Sequence, residues 1–268
     1  MNRWIRRTAL VLLALLAIAA VVSLWLPGSA AVQYRDAIDA VPSARFPLGT
    51  DELGRDRLAQ LLCGIRISFL LAPAAALFST LIAALIGGTA GWCGGRIEWL
   101  FMVVADVFVS LPWLFLLITV RAILPLDVSA AVSIVVTFLL LGILGWAAPA
   151  RVVRARARAI RQSEYVLYAR ACGAGRARLF VRQLIPDLRS ILAAQFWICL
   201  PVYVISEANL GLLGLGVTDP LVSLGGMVRA LQSQTAFFAR PWILAPAAVL
   251  VLAPACLHFA RLGEDRAS

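Results

Sequence analysis

"SFLLAPAAALFSTLIAALIGGTAG", residues 68–91, contains no charged side chain. A run of about 18 or more apolar residues is long enough to cross the hydrocarbon core of a bilayer as a helix. Only a helix satisfies its own backbone polar groups there without a neighbouring strand. Working outward, five more predominantly apolar runs appear: Thr8–Leu26, Trp99–Val120 with Asp106 inside it, Val128–Ala148, Leu188–Ile205 with Arg189 near its start, and Trp242–Ala260. The chain is 62% hydrophobic over 268 residues, against about 45–50% in a soluble domain. Its mean hydropathy is +0.91. These features predict an all-α polytopic membrane protein with six transmembrane helices. Pro112, Pro201, Pro246 and Pro254 fall inside predicted spans, where neighbouring helices can re-satisfy the freed carbonyls.

The net charge is +10, and all 24 basic side chains are arginine. In a soluble protein that balance would suggest nucleic acid. Between membrane spans, arginines instead mark the cytoplasmic loops. With the N-terminus inside, the cytoplasmic pieces hold 16 arginines and the outer pieces 8. The expected partner surface is therefore membrane lipid and not nucleic acid, and both termini are expected in the cytoplasm. The first apolar run follows Arg3, Arg6 and Arg7 and precedes "LPGSA". Its length exceeds that of a typical signal-peptide core, so a retained span is expected. The five cysteines form no C-x-x-C pair, and His258 is the single histidine. Neither a metal site nor a disulfide framework is expected. The domain reading is 1–67, a first span plus an outer amphipathic segment, and 68–261, a transmembrane core with a cytoplasmic loop over 149–189.

Three polar islands interrupt the apolar chain: 27–66, 149–189 and 206–241. The second contains "EYVLYARACGAGRARLFVRQLIP", residues 164–186. No helix breaker occurs from Ala150 to Cys172, so a helix is expected to leave span four and continue to that point. Gly173 and Gly175 supply the freedom for a reversal. A second helix, Arg176–Leu184, is expected to return, with Pro186 marking a break before span five. The small residues at the reversal would let a partner approach closely. Arg170, Arg176 and Arg178 would face an acidic surface or lipid phosphates. A solvated basic loop without a partner is the alternative.

In the first island, Asp51 is expected to cap a helix. Leu58, Leu61, Leu62 and Ile65 follow at helical spacing, as in an amphipathic helix lying on the outer membrane surface. A calcium loop is excluded because the acidic spacing is wrong and Gly54 is misplaced. In the third island, "GLLGLG", residues 211–216, lacks the strand and helix of a dinucleotide fingerprint.

These islands resemble the permeases of ABC transporters. The spacing of Ala169, Gly173 and Ile185-Pro186 is similar to their "EAA" loop, although Leu167 and Tyr168 stand at its acidic and first alanine positions and Gln183 at an aliphatic one. Pro47, Leu48, Gly49, Thr50, Asp51, Gly54, Arg55, Asp56, Leu61, Leu62, Gly64, Arg66 and Ser68 match the signature of C-type subunits in the dipeptide, oligopeptide and nickel branch. Phe46 replaces the usual histidine there. "EANLGLLGLGVTDPLVSLGGM", residues 207–227, resembles a glycine-rich segment of the same branch, and the tail around Gly263 and Glu264 resembles its ending.

The resemblance implies a type I ABC importer permease fold and a non-catalytic subunit in the bacterial inner membrane. It implies a second related permease as heterodimer partner, one or two ABC ATPase subunits and an extracytoplasmic substrate-binding protein. No cofactor would be bound by this chain; ATP and Mg would sit on the ATPase. Consistently, no G-x-x-x-x-G-K-[ST] occurs, so the chain has no P-loop of its own. Glu164, Tyr168, Ala169, Arg170, Gly173, Ala174, Gly175 and Pro186 would couple to the ATPase. Gly49, Thr50, Asp51, Gly54, Arg55, Asp56 and Glu207 would lie on the binding-protein side, Glu207 either contacting solute or the delivering protein or anchoring a loop by a hydrogen bond. Candidate solutes are peptides, nickel complexes and glutathione. Asp106, within span three, is read as a structural partner of Arg96 or Arg151, with an intramembrane functional carboxylate as the other reading. An ion-gradient-driven transporter or channel is the rival class. It would call for paired ionisable residues at mid-depth and two-fold repeats, which the sequence does not display.

Overall fold

Residues 3–23, 29–123, 129–216, 221–229 and 240–261 are described by the structure, a computed structural model. Long regular structure among them is helical: α1 Arg3–Val22, α2 Arg57–Cys93, α3 Gly95–Ser110, α4 Trp113–Ile123, α5 Ala130–Leu144, α6 Ala147–Arg161, α7 Glu164–Ala171, α8 Arg176–Leu179, α9 Ile185–Leu212, α10 Leu224–Arg229 and α11 Ala245–Arg261. Four helical stretches are long and apolar enough to cross a membrane: Arg57–Cys93, Ala130–Arg161, Arg176–Leu212 and Pro241–Phe259. The apolar part of α1, Arg7–Val22, is shorter, and residues 24–28 lie outside the described ones.

Several expected elements take a different form. The third span is two helices, α3 and α4, bent by 86° at their junction. Leu111 is extended there, with ψ 137°, as the residue before a proline prefers. The outer amphipathic helix is not a separate surface element. It is continuous with span two in the 37-residue α2, and its Leu61 and Ile65 are buried in protein. Pro186 does not break the helix into span five, because it lies in the first turn of α9. The irregularity falls just before it: Phe180–Leu184 form a π-turn, with the Ile185 N–H bonded to the Phe180 carbonyl. That wider turn accommodates a proline, whose ring would clash with the carbonyl four residues back in a regular α-helix.

The chain forms two compact units. One comprises Met1–Ala74, Val120–Phe138 and Leu200–Ser268. In it Leu61, Ile65, Leu224 and Met227 form a core, joined by Leu16 of α1 and Val249 of α11. Helix α9 approaches α10 so closely that a Cβ on Gly225 would lie 2.6 Å from the Ala208 Cα.

The other unit comprises Ala75–Thr119 and Leu139–Cys199. Here α2 and α6 touch backbone to backbone. A Cβ on Gly87 would meet the Ala150 carbonyl oxygen at 2.3 Å, and one on Gly91 the Arg154 carbonyl oxygen at 2.5 Å. Small residues four apart permit such close helix approach in a membrane. Helix α6 buries Ala147, Ala150, Val153, Ala157 and Ile160, one helical stripe, while its arginines point elsewhere.

Candidate functional site

The basic island folds as a tight elbow. Helix α6 stops at Arg161, and Ser163 is extended at φ −68°, ψ 148°. The unbroken helix expected from Ala150 to Cys172 is therefore two. The Ser163 hydroxyl donates to the Ile160 carbonyl at 2.5 Å, the local side-chain bond by which serine competes with helical pairing. Helix α7 begins at Glu164 and ends in a left-handed residue, Gly173, at φ +85°. The Gly173 N–H donates to the Arg170 carbonyl at 2.9 Å, and the Ala174 N–H to the Ala169 carbonyl at 3.0 Å. This pair of bonds is a Schellman cap with Gly173 at its left-handed position. Gly175 has an ordinary φ of −67°. A Cβ on either glycine would meet nothing within 4 Å.

The elbow is welded on its inner side and open on its outer side. Val166 of α7 and Leu179 of α8 join Trp92, Val153, Ala157, Ile160, Leu184 and Leu188 in one buried cluster. Ala169 and Ala174, the two ends of the cap, pack on the same cluster. The Tyr165 hydroxyl donates to the Asp187 carboxylate, tying α7 to the first turn of α9. Partial burial and the Asp187 acceptor push the Tyr165 hydroxyl above its ordinary range. On the open side, Leu167 and Tyr168 are exposed at 51% and 74%, beside Glu164 and the two glycines. Arg170 turns inward, its guanidinium 5.3 Å from the centre of the Trp92 ring, while Arg176 and Arg178 stay exposed. Pro186 is exposed on α9.

An acidic clamp that no sequence motif announces holds α6 to α3. Glu98, in the first turn of α3, accepts from Arg154 Nε at 2.6 Å and pairs with Arg158 at 3.6 Å. Asp106 pairs with Arg151 at 3.5 Å, one of its two expected partners. Both side chains of that pair are more than half exposed, so the screened pair contributes little.

The segment before α2 is folded around its own signature. Asp51 does not cap a helix. Its carboxylate closes a turn, accepting from the Leu53 and Arg55 N–H groups, Arg55 Nε at 2.7 Å and Gln60 Nε2 at 2.8 Å. The helix cap is Asp56, whose Oδ1 accepts from the Leu58 N–H at 2.9 Å. Burial alone would raise the Asp51 pKa, but the bonds from Arg55 and Gln60 outweigh it and hold the carboxyl below its ordinary range. Thr50 is 2% exposed, and its hydroxyl takes the Ala40 N–H at 2.8 Å and donates to the Ala37 carbonyl. Gly49 and Gly54 are both at positive φ and packed on the Ala40 and Tyr34 carbonyls. Phe46 is buried against Tyr34, centroids 5.1 Å apart. Within the stretch from Gly49 to Asp56 the exposed side chains are Glu52 and Leu53.

Two buried polar residues stand apart in the same unit. Glu207 is fully buried beside Ser223, with neither carboxylate oxygen in a hydrogen bond of normal geometry. Arg121 is 1% exposed and donates to the Ser133 hydroxyl at 2.7 Å. An arginine inside "LLITVRAIL" was the available signal for it. Among the described residues no cluster of three or more metal-ligating side chains occurs.

Long apolar helices joined through an elbow packed on one buried cluster define a multi-pass helical membrane protein. The profile described as "Binding-protein-dependent transport system inner membrane component" matches residues 62–262, and the chain belongs to that family. It is 34% identical over 219 residues to the oligopeptide transport system permease protein OppC of Mycobacterium tuberculosis, covering 81% of this chain and 73% of that one. It is 35% identical over 187 residues to the dipeptide transport system permease protein DppC of Bacillus subtilis, covering 69% and 56%. A putative peptide permease protein of Brucella suis is 32% identical over 237 residues, covering 88% and 76%.

Proposed function

We propose that this chain forms half of the translocation pathway of an ATP-driven peptide importer and receives its stroke through the elbow at Gly173. The observation that carries the reading is the contrast between the two sides of that elbow. One side is fixed to α2, α6 and α9 by a single buried cluster, while Leu167 and Tyr168 stand free on the other. A push on the tip therefore moves the helices instead of bending the tip. Coupling requires the ATPase state to favour one arrangement of the helices over the other. Glu164, Tyr168, Ala169, Ala174, Gly175 and Pro186 surround the docking surface, and Arg170 braces it from inside.

The remaining partners are a second, related permease in a heterodimer, one or two ATPase subunits and an extracytoplasmic binding protein. ATP and Mg are held by the ATPase, and this chain performs no catalysis. Both termini are cytoplasmic, and the segment around Asp51 faces outward. Peptides are favoured over nickel complexes because the relatives above are described as peptide permeases.

Reconstitution tests this directly. Proteoliposomes holding all the subunits take up a labelled oligopeptide when ATP and the binding protein are supplied. A bulky Gly175→Trp change on the open side abolishes uptake and releases the ATPase. Uptake by this chain alone, driven by an ion gradient, would show the rival class to be correct.

A further inference from the structure

Where α2 ends and α7–α8 fold back, a pocket of about 710 Å³ opens. Three guanidinium groups line it: Arg161, Arg170 and Arg176. Among the described residues no carboxylate does. The contrast with neighbouring arginines is direct, since Arg154 and Arg158 share the carboxylate of Glu98. Among the described residues, none of the three pocket arginines has an ion-pair partner. Arg161 spends one N–H on the Trp92 carbonyl at 3.3 Å. Arg170 lies over Trp92, and its Nε is buried with no hydrogen-bond partner. A buried guanidinium N–H left unpaired is costly, and an anion reaching it would satisfy the group.

The rest of the wall is apolar. Trp92 and Phe180 meet edge to face at 6.0 Å, and Ile97 and Val181 form the rim, exposed at 49% and 60%. Leu100, three residues on and on the same face of the apolar helix α3 as Ile97, is exposed at 56%. A free phosphate would not need an apolar rim beside an apolar helix. A diacyl lipid would, because its headgroup and its chains leave the same site in opposite directions. Basic pockets of this kind at the membrane boundary suit anionic headgroups.

We propose that this pocket holds the phosphate of an anionic phospholipid headgroup between Arg161, Arg170 and Arg176. The lipid would buttress the elbow at the edge of its buried cluster, between the end of α2 and α8.

Cys93 also lines the pocket and is exposed, as is Cys172, while Cys63, Cys199 and Cys256 are buried. In a Cys172→Ser background, the rate of maleimide attachment to Cys93 reports occupancy. The full-length chain is purified in its complex and placed in nanodiscs of phosphatidylcholine alone, or of phosphatidylcholine with phosphatidylglycerol. Phosphatidylglycerol is expected to slow labelling, and Arg176→Gln to weaken that protection about fivefold, while Arg176→Lys keeps most of it. Arg176 is exposed, so neither change threatens folding. Equal labelling rates in the two lipids overturn the proposal. Protection by inorganic phosphate in phosphatidylcholine alone would assign the site to a free anion and overturn the lipid. Protection that follows the ATPase regardless of lipid would assign it to a protein carboxylate and overturn the lipid as well.

Discussion

Gly173 and Gly175 look equivalent in the sequence and are not equivalent in the fold. Gly173 is left-handed at φ +85°, and an L side chain there is strained by about 1–2 kcal/mol. Gly175, at φ −67°, imposes no such demand. Gly173→Ala is therefore expected to loosen the cap and cut ATP-driven uptake, whereas Gly175→Ala leaves both near wild type. Hydrogen exchange at the Ala174 amide, which the cap protects, separates the two. Asp51 makes a second prediction at this scale. Its folded pKa is depressed, so its stabilisation is complete at neutral pH and is lost as pH falls through that lowered value. The segment before α2 should become protease-sensitive at a pH below about 4, the ordinary carboxylate pKa. Asp51→Asn should be sensitive already at neutral pH, with a flatter acid profile. The left-handed need at Gly173 was legible, because a reversal between two helical runs calls for glycine. Which of the two glycines takes it was not, since both precede residues able to begin a helix.

At the scale of elements, the α2–α6 contact is the structural support of the elbow. Gly91→Leu would drive a side chain into the Arg154 carbonyl. Overpacking of this kind costs about 1–3 kcal/mol, and the expected result is a lower thermal midpoint and a lower complex yield. Gly88→Ala is the control, since its Cβ would sit at an ordinary 3.6 Å from Leu188. Replacing glycine in mid-helix there is expected to be neutral or slightly stabilising. Glu98→Gln leaves Arg154 and Arg158 without their anion, and a midpoint drop worth about 1–3 kcal/mol is expected. Spans two, four, five and six were readable from long, predominantly apolar runs. The 86° bend between α3 and α4 was not, because prolines in membrane helices more often kink than break. The Glu98 clamp was hidden for another reason: its partner Arg154 is 56 residues away, and nothing local to "RIEWLF" signals it.

For the whole molecule, the family and its membrane setting were legible because they are written in long, specific patterns. The individual roles within the Asp51 signature were not. Its residues Gly49, Thr50 and Gly54 are buried structural parts of one loop, so a match to them reports a shared fold more than a shared contact surface. Partner recognition in that region is expected to fall on Glu52 and Leu53. Glu52→Arg with Leu53→Ser should weaken crosslinking to the binding protein while leaving the thermal midpoint unchanged. A chain that holds its signature by burial can vary its outward residues freely among relatives of different specificity.

The π-turn at Phe180–Leu184 fixes the azimuth at which the elbow stands around α9. It holds one residue more than an α-turn of the same rise. Were this stretch to tighten without losing a residue, everything before it would swing by about 100° around the helix axis, carrying Leu179 away from Trp92. Pro186 prevents that tightening. Deleting Val181 together with Pro186→Ala should therefore restore a plain helix without changing the direction in which the tip points, while a one-residue insertion at the same place should aim it at the wrong neighbour.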